Sequence, residues 1–273
     1  MYELLNILTE FTFLKFAFLA GLLSGVATGI TGSFVVVKRI SYIGGGISHA
    51  VMGGLGIAYF AGINPMYGAL AFALFSAVII SIVKMNLRQN EDTVISALWS
   101  IGMATGLIFA FITPGYNVNL LSFLFGNILM VTTENLVLLL ILDIIILVVV
   151  LLFYRQLVFI CFDEEYARIR GLKVDLLYFI LISLIALTVV VLVQTVGVIL
   201  VIALLTLPSA IAAIFTKRIK KMILSSILLN YLFIFTGILT AFLTDLPAGA
   251  TIILITGAGY LLAFIIKHFL LKI

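Results

Sequence analysis

Two ionisable residues stand inside apolar stretches of this 273-residue sequence, and both are of types that bind cations. His49 follows three consecutive glycines in Gly44-Gly45-Gly46-Ile47-Ser48-His49, and Asp143 lies in Leu140-Ile141-Leu142-Asp143-Ile144-Ile145. Ionisable groups are costly in hydrocarbon, so each is a functional candidate by default. The chemistry that they offer is cation binding, through an imidazole nitrogen or through carboxylate oxygens.

His49 is predicted to contact a metal ion. The glycines before it would let a backbone come close to a passing ion, and Ser48 places a hydroxyl beside the ring. A neutral imidazole is a good ligand for zinc and other divalent transition metals. The alternative is a structural histidine that is hydrogen-bonded between helices. We therefore carry His49 as the candidate metal ligand and Ser48 as a neighbouring pathway residue.

Two aspartates are weaker pathway candidates. A carboxylate in the middle of an apolar span must pair, bind a proton or line a wet cavity, and no cationic partner for Asp143 is evident within the spans. A protonated Asp143 with a structural hydrogen bond is the alternative. Asp245, shortly before Pro247, is typical of a turn that leads into a helix, and a place at the mouth of a pathway is its other interpretation.

The elements that must hold these residues are membrane-spanning helices. The sequence is 64% hydrophobic and 10% charged, with a mean hydropathy of +1.38. Backbone in hydrocarbon must satisfy its hydrogen bonds in helices or closed barrels, and these long runs do not alternate as barrel strands do. We predict an all-α polytopic membrane protein and exclude soluble globular classes. Nine windows have spanning length, with eight as the alternative count: 11–37, 45–62, 65–84, 93–112, 135–154, 174–193, 197–216, 222–243 and 249–268.

Basic residues mark every second boundary between these windows, for example Lys38-Arg39 and Lys217 to Lys221. The positive-inside rule places those boundaries in the cytoplasm. One alternation satisfies all of them, with the N-terminus outside and the C-terminus cytoplasmic. Residues 117–131 are apolar but too short to span, which predicts a re-entrant or interfacial segment on the outer side.

The sequence offers no catalytic machinery of its own. It lacks the phosphate-cradling pattern G-x-x-x-x-G-K-[ST], and its two histidines, His49 and His268, are far apart with no nucleophile–base–acid set around them. Its basic residues form short clusters between spans and no nucleic-acid-binding face. The lone Cys161 allows no intramolecular disulfide. We expect one membrane domain over 1–273 that is not an enzyme and carries no cofactor.

Several motifs in order resemble the permease subunit of the zinc/manganese-type ABC importers. His49, in Ser48-His49-Ala50, stands at the family's histidine, and Leu124-Phe125-Gly126 resembles an external segment of the family. Any one motif is weak, whereas five in the right order are strong. The segments that carry the resemblance are 32–42 with 47–51, 121–129, 162–172, 196–208 and 245–250.

The resemblance implies an ABC importer permease fold in a prokaryotic cell membrane. It implies a homodimer of this chain, two copies of a separate ATPase that holds ATP and magnesium, and an external metal-binding protein. The cargo would be a divalent transition metal that reaches the cytoplasm by alternating access. The family often has an acidic residue four positions before the histidine, where this sequence has Gly45. Losing that oxygen ligand favours zinc over manganese or iron.

The charged segment 162–173 resembles the coupling motif of the same family. By composition alone it is typical of a solvated loop. Acidic residues at its start and basic residues towards its end suit the dipole of a short helix. Because Ala167 and Gly171 are four residues apart, we expect them to leave a bare face that seats in the ATPase. The predicted coupling residues are Asp163, Glu164, Glu165, Ala167, Arg168 and Gly171.

Two other functions stay open at this point. A self-sufficient secondary carrier for a cation or small solute would also be polytopic, although such carriers often have paired broken helices and several intramembrane charges. Here only Asp143 lies deep within a predicted span. A non-transporting membrane scaffold is the third class.

Overall fold

Helices make up most of the chain in the computed structural model, which describes residues 12–87, 91–113 and 126–270. Across those ranges the chain forms ten α-helices and no β-strand. The helices are α1 (Thr12–Lys38), α2 (Tyr42–Phe60), α3 (Pro65–Leu87), α4 (Glu91–Ile112), α5 (Thr133–Phe162), α6 (Glu164–Ile169), α7 (Val174–Val196), α8 (Val198–Phe215), α9 (Ile219–Thr244) and α10 (Ala248–Ile265). A short 3-10 helix (Ile128–Met130) precedes α5, and a π-helical turn (Ile266–Leu270) follows α10.

All helices except the six-residue α6 are long and apolar enough to cross a membrane, which gives nine candidate spans among the described residues. Each contains or overlaps one of the nine predicted windows, so the all-α polytopic prediction is confirmed. The shortest, α8 and α10, have 18 residues each, or about 27 Å at 1.5 Å per residue, close to the thickness of the hydrocarbon core.

One predicted boundary differs from the structure, and one predicted segment is described only in part. Arg155 does not end a span, because it occupies an exposed position within α5, and that helix continues to Phe162. Residues 117–125 of the predicted re-entrant segment 117–131 lie outside the described residues. Its remaining part contains Gly126, whose φ of +58° belongs to the left-handed region that glycine tolerates, and the 3-10 helix.

The chain divides into two compact units by its internal contacts. Of the described residues, the first unit contains 12–36, 126–147 and 191–270, and the second contains the remainder of 37–113 and 148–190. The helices α1, α5 and α7 pass from one unit to the other. The expectation of a single permease domain over 1–273 stays a prediction.

In the second unit, glycines bring α2 backbone-to-backbone with both of its neighbours. A Cβ atom on Gly53 would lie 3.0 Å from the carbonyl oxygen of Gly102 on α4, and a Cβ on Gly54 would collide with the backbone of Gly68 on α3. Small residues at helix interfaces permit this close approach in membranes, where lipid supplies little hydrophobic drive between helices. This close packing fixes the helix that carries His49.

In the first unit, α1 packs on α9 through a glycine stripe. Gly21, Gly25 and Gly29 of α1 face Ile234, Tyr231 and Ile227 of α9, respectively. Residue numbers thus increase along α1 while those of the facing residues decrease along α9. The two helices are therefore antiparallel neighbours at close range, which small residues permit in membranes.

Candidate functional site

His49 lies on the first half of α2 and stacks face to face on Trp99 of α4. The ring centroids are 4.3 Å apart and the ring planes differ by 4°. The Nδ1 atom is buried and has no hydrogen-bond partner among the described residues. The bland alternative of a histidine bonded between helices is therefore unsupported at this nitrogen, which is left available as a ligand.

Sequence reasoning missed Trp99, the only tryptophan of the chain. Its Nε1 donates to the sulfur of Met103 at 3.1 Å, and the ring of Tyr42 lies 5.8 Å away at a tilt of 39°. Tyr42 stands seven residues, or about two helical turns, before His49 and so shares its face of α2. That spacing is the sequence signal that could have indicated an aromatic surround for the imidazole.

Ser48 is fully buried, and its hydroxyl donates to the carbonyl oxygen of Gly44 at 2.7 Å. Its proton is thus committed to its own helix, while the oxygen lone pairs remain. The predicted role of Ser48 in a pathway stays a prediction.

Asp143 is 4% exposed on α5, and its Oδ1 atom has no hydrogen-bond partner among the described residues. Its carboxyl group is within electrostatic range of the phenol of Tyr231, one residue after the fully buried Asn230 on α9. Sequence reasoning missed Asn230, because an asparagine carries no charge and so escaped the search for ionisable groups. All three residues belong to the first unit.

Asp245 ends α9 rather than beginning α10. Its φ of +54° places it in the left-handed region, and its backbone N–H donates to the carbonyl oxygen of Ala241. Asparagine and aspartate tolerate this conformation better than most residues. Pro247 then precedes the first residue of α10. The side chain is exposed, and its place at a pathway mouth stays a prediction.

The four predicted pathway residues are divided between the two units. His49 and Ser48 lie in the second unit, whereas Asp143 and Asp245 lie in the first. In the described part of the chain, no group of three or more His, Cys, Asp or Glu side chains could hold a metal ion.

A polar cavity of about 470 Å³ lies in the first unit where α5 begins and α7 ends. Three amide side chains line it, those of Asn127, Asn135 and Gln194. Asn127 also accepts a hydrogen bond from the backbone N–H of Leu129 and so caps the 3-10 helix. The positive-inside alternation predicts that these ends of α5 and α7 lie on the outer side of the membrane.

The charged segment 162–173 forms the short helix α6 with clear limits at both ends. The Oδ1 atom of Asp163 accepts from the backbone N–H of Tyr166 at 2.9 Å, which is an N-cap. Gly171 has a φ of +77°, and the N–H of Leu172 donates to the carbonyl oxygen of Ala167 at 3.1 Å, so a left-handed glycine closes the helix. The predicted short helix is present.

The predicted bare face of this helix is wrong. Ala167 is fully buried within the chain, so the side of α6 that it marks is packed on the permease itself. Gly171 lies beyond the last residue of α6 and does not share a helix face with Ala167. Instead the segment exposes large apolar side chains: Ile169 is 83% exposed and Phe162 is 66% exposed.

Glu164 ties α6 to the ends of two other helices. It forms an ion pair with Lys38 at the end of α1, and its Oε1 lies 3.1 Å from the Nζ of Lys84 near the end of α3. Lys38 also donates to the carbonyl oxygen of Ile160 at 2.8 Å. Burial alone would raise the pKa of Glu164, but the hydrogen bond and charge of Lys38, with Lys84, outweigh it and hold that pKa below its usual value.

A second ion pair joins the other end of α6 to α7. Arg168 donates to both carboxylate oxygens of Asp175, in the first turn of α7. Both side chains are about half exposed, so this pair contributes little stability by itself. Charged and polar residues around both ion pairs line a cavity of about 520 Å³, among them Glu165.

Comparison with known proteins supports one family over nearly the whole length. The model described as the ABC 3 transport family matches residues 10–267. A probable metal transport system membrane protein of Chlamydia pneumoniae is 41% identical over 256 residues, which is 92% of this chain and 87% of the relative. The manganese import system permease protein ScaB of Streptococcus gordonii is 33% identical over 264 residues, 97% of this chain and 95% of the relative.

The fold is similar to that of a solved structure, PsaBC from Streptococcus pneumoniae in complex with Fab. The TM-score is 0.86 at 30% identity, and the match covers 100% of this chain and 99% of the other. Sequence and fold thus agree over the same residues. The chain belongs to the ABC 3 transport family, as its motifs predicted, and is a multi-pass membrane protein with that permease fold.

Proposed function

We propose that this chain is the permease subunit of an importer that moves a divalent transition metal into the cytoplasm. The observation that carries the proposal is the family match over residues 10–267, together with relatives named for metal and manganese transport. The half-buried imidazole of His49, whose Nδ1 has no hydrogen-bond partner among the described residues, supplies a transition-metal ligand within a spanning helix. The remaining predicted pathway residues are Ser48, Asp143 and Asp245.

Energy would come from a separate ATPase, since the sequence has no phosphate-binding loop. We propose two copies of that ATPase, each with ATP and magnesium, on the cytoplasmic side, and an external metal-binding protein on the other. The C-terminus then lies in the cytoplasm of a prokaryotic cell.

A homodimer of this chain is part of the proposal. The helix α5 is largely apolar and has many large side chains at the surface of the single chain, with Leu151 75% and Leu152 71% exposed. Such a helix suits lipid or a second copy equally by composition. The number of copies of this chain in the purified complex is therefore to be measured directly, by mass photometry or native mass spectrometry.

Coupling would run through α6. Its exposed apolar residues Tyr166 and Ile169 offer a surface for the ATPase, and its buried side is fixed to the permease by Ala167 and Glu164. A push on α6 would reach the ends of α1 and α3 through Lys38 and Lys84, and the start of α7 through Arg168. Tilting those helices opens the path alternately to each side.

For the cargo, the absence of an acidic residue at Gly45 favours zinc, whereas one named relative is a manganese permease. Uptake of Zn²⁺ in the presence of a tenfold excess of Mn²⁺, and the reverse, measures the preference. Zinc selectivity agrees with the ligand argument, and strong inhibition of zinc uptake by manganese contradicts it.

The deciding experiment is reconstitution of this chain in proteoliposomes with and without its ATPase. We expect metal uptake only when the ATPase, ATP and the external binding protein are all present. Uptake by this chain alone along an ion gradient would overturn the importer and indicate a secondary carrier. No uptake in any combination would indicate a non-transporting scaffold.

A further inference from the structure

Three buried polar side chains of the first unit have atoms without hydrogen-bond partners in the described part of the chain. They are Ser24 on α1, Asp143 on α5 and Asn230 on α9, which are 0%, 4% and 0% exposed. The unpartnered atoms are the Ser24 hydroxyl, one oxygen of Asp143, and both the oxygen and the nitrogen of the Asn230 amide. Buried polar groups in native proteins are almost always bonded, and an exception calls for an explanation such as a bound ion or water.

Other buried hydroxyls of the same unit are satisfied. Thr28 and Ser33 on α1 each donate to the backbone carbonyl four residues earlier, at 2.6 and 2.7 Å. Ser209 and Ser226 share a hydrogen bond of 2.7 Å between α8 and α9. Among the described residues of the first unit, buried side-chain polar atoms without partners thus occur only in these three side chains.

Packing brings α1 and α9 together beside two of the three side chains. A Cβ atom on Gly25 would lie 2.8 Å from the ring of Tyr231 and 3.3 Å from the Cβ of Asn230, so α1 meets α9 at this point. Ser24 immediately precedes Gly25. Asp143, on α5 of the same unit, is within electrostatic range of the Tyr231 phenol.

The depth of the three residues suits an ion pathway. Each lies in the middle third of its helix, far from both ends of a span. Substrate and ion sites of membrane transporters lie typically near the bilayer midplane. A carboxylate there is expensive unless it is compensated by a cation or a proton.

We propose that Asp143, Asn230 and Ser24 form an oxygen-donor site for the transported divalent cation, within the first unit and separate from His49. The proposal rests on the proposed function for the identity of the cation as cargo. Carboxylate, amide and hydroxyl oxygens favour a hard ion of the Mn²⁺ type, while an imidazole nitrogen favours softer Zn²⁺. The chain thus holds two ligand sets of different softness, in its two units.

Metal binding to the purified full-length chain in lipid nanodiscs tests the site without any transport assay. Free Mn²⁺ is titrated by electron paramagnetic resonance. We expect Asp143→Asn to lower the Mn²⁺ affinity at least tenfold, and Asn230→Leu to lower it by a smaller factor. The exposed carboxylate of Glu134 in the first turn of α5 gives the matched control Glu134→Gln, for which the affinity stays unchanged.

A crossed comparison separates the two ligand sets. Asp143→Asn should weaken Mn²⁺ binding more than Zn²⁺ binding, and His49→Ala should do the opposite. Asn230→Asp, which adds an oxygen charge in nearly the same volume, should retain or tighten Mn²⁺ binding. A gain in Mn²⁺ affinity cannot come from a folding defect.

Unchanged Mn²⁺ affinity in Asp143→Asn, in protein with a normal gel-filtration profile, would overturn the site and leave a structural carboxyl group. A loss of affinity for Asn230→Asp would also count against it. If ATP-driven uptake succeeds while these variants bind Mn²⁺ normally, the site fails and the importer stands. If binding depends on Asp143 but reconstitution gives no uptake, the site stands and the importer fails.

Discussion

Lys84 on α3 lies 3.1 Å from Glu164 on α6, and its ammonium group is also 4.3 Å above the ring centre of Tyr178 on α7. Glu164 shares a second lysine, Lys38 on α1, and all of these side chains are partly or fully buried. One carboxylate and one aromatic ring thus join four helices of the second unit. The arrangement couples the position of α6 to the ends of spanning helices.

Glu164→Gln should destabilise this connection and uncouple the complex. Losing the carboxylate leaves two lysines facing each other, and a charge-assisted hydrogen bond is worth about 1.5 to 3 kcal/mol, less where solvent reaches it. We expect the metal moved per ATP hydrolysed to fall several-fold, measured in proteoliposomes. The exposed Asp92→Asn on α4 is the control carboxylate in the same unit and should behave as wild type. Normal coupling in Glu164→Gln would rule out a transmission role.

The same carboxylate predicts a pH dependence of stability. Because the pKa of Glu164 in the folded chain is held below its ordinary value of 4.5, its stabilising contribution is complete above that value and is lost as pH falls through the lowered pKa. The free energies of unfolding of the wild type and Glu164→Gln, measured by thermal unfolding, should therefore differ by a constant amount above about pH 5. The difference should shrink as the pH is lowered below 4.5. A difference that grows on acidification would contradict the ion pair.

Gly171→Leu should impair coupling through the backbone. Its φ of +77° is unfavourable for a side chain by about 1 to 2 kcal/mol, although a Cβ there would meet nothing within 4 Å. Gly62, in the loop between α2 and α3, has a φ of +69° and equally open surroundings, so Gly62→Leu is a matched control. We expect both variants to lose similar stability and only Gly171→Leu to waste ATP, measured as ATPase activity without metal uptake. Equal coupling in the two would remove Gly171 from the coupling segment.

The helices were predictable because hydropathy over a fixed length is a local property of the sequence. Lys38 and Lys84 were recognised only as topology signals, since Glu164 is 126 residues away from Lys38 and no local pattern pairs them. Ala167 was assigned to a docking face from spacing alone. The structure buries Ala167 instead. Small residues are also favoured on the side of a short helix that packs against its own chain, so spacing alone does not distinguish the two sides.

The candidate pathway was predictable in part for a similar reason. His49 and Asp143 stand out as ionisable groups in apolar runs, whereas Trp99 and Asn230 do not. Their relevance comes from the stacking on His49 and from the unpartnered amide, which are properties of packing between helices.

Ile169→Asp should weaken binding of the ATPase. Ile169 is 83% exposed, and an aspartate there would place a charge in an apolar contact that must lose its water. We expect the ATPase to dissociate from the detergent-purified complex at least tenfold more readily, measured by biolayer interferometry. Ile169→Leu is the control, because it keeps an apolar side chain of equal size. Unchanged affinity for Ile169→Asp would move the docking surface elsewhere.

His49→Phe tests the imidazole while keeping its packing. A phenyl ring can maintain the stack on Trp99, whose centroid is 4.3 Å away, so the stacking contribution of about 0.5 to 1.5 kcal/mol is largely retained while both ring nitrogens are removed. We expect metal uptake to fall at least tenfold at limiting metal, with assembly on the ATPase unchanged. His268→Phe, on the exposed π-helical turn after α10, is the control and should transport normally. Wild-type flux in His49→Phe would show that the nitrogen takes no part in moving the ion.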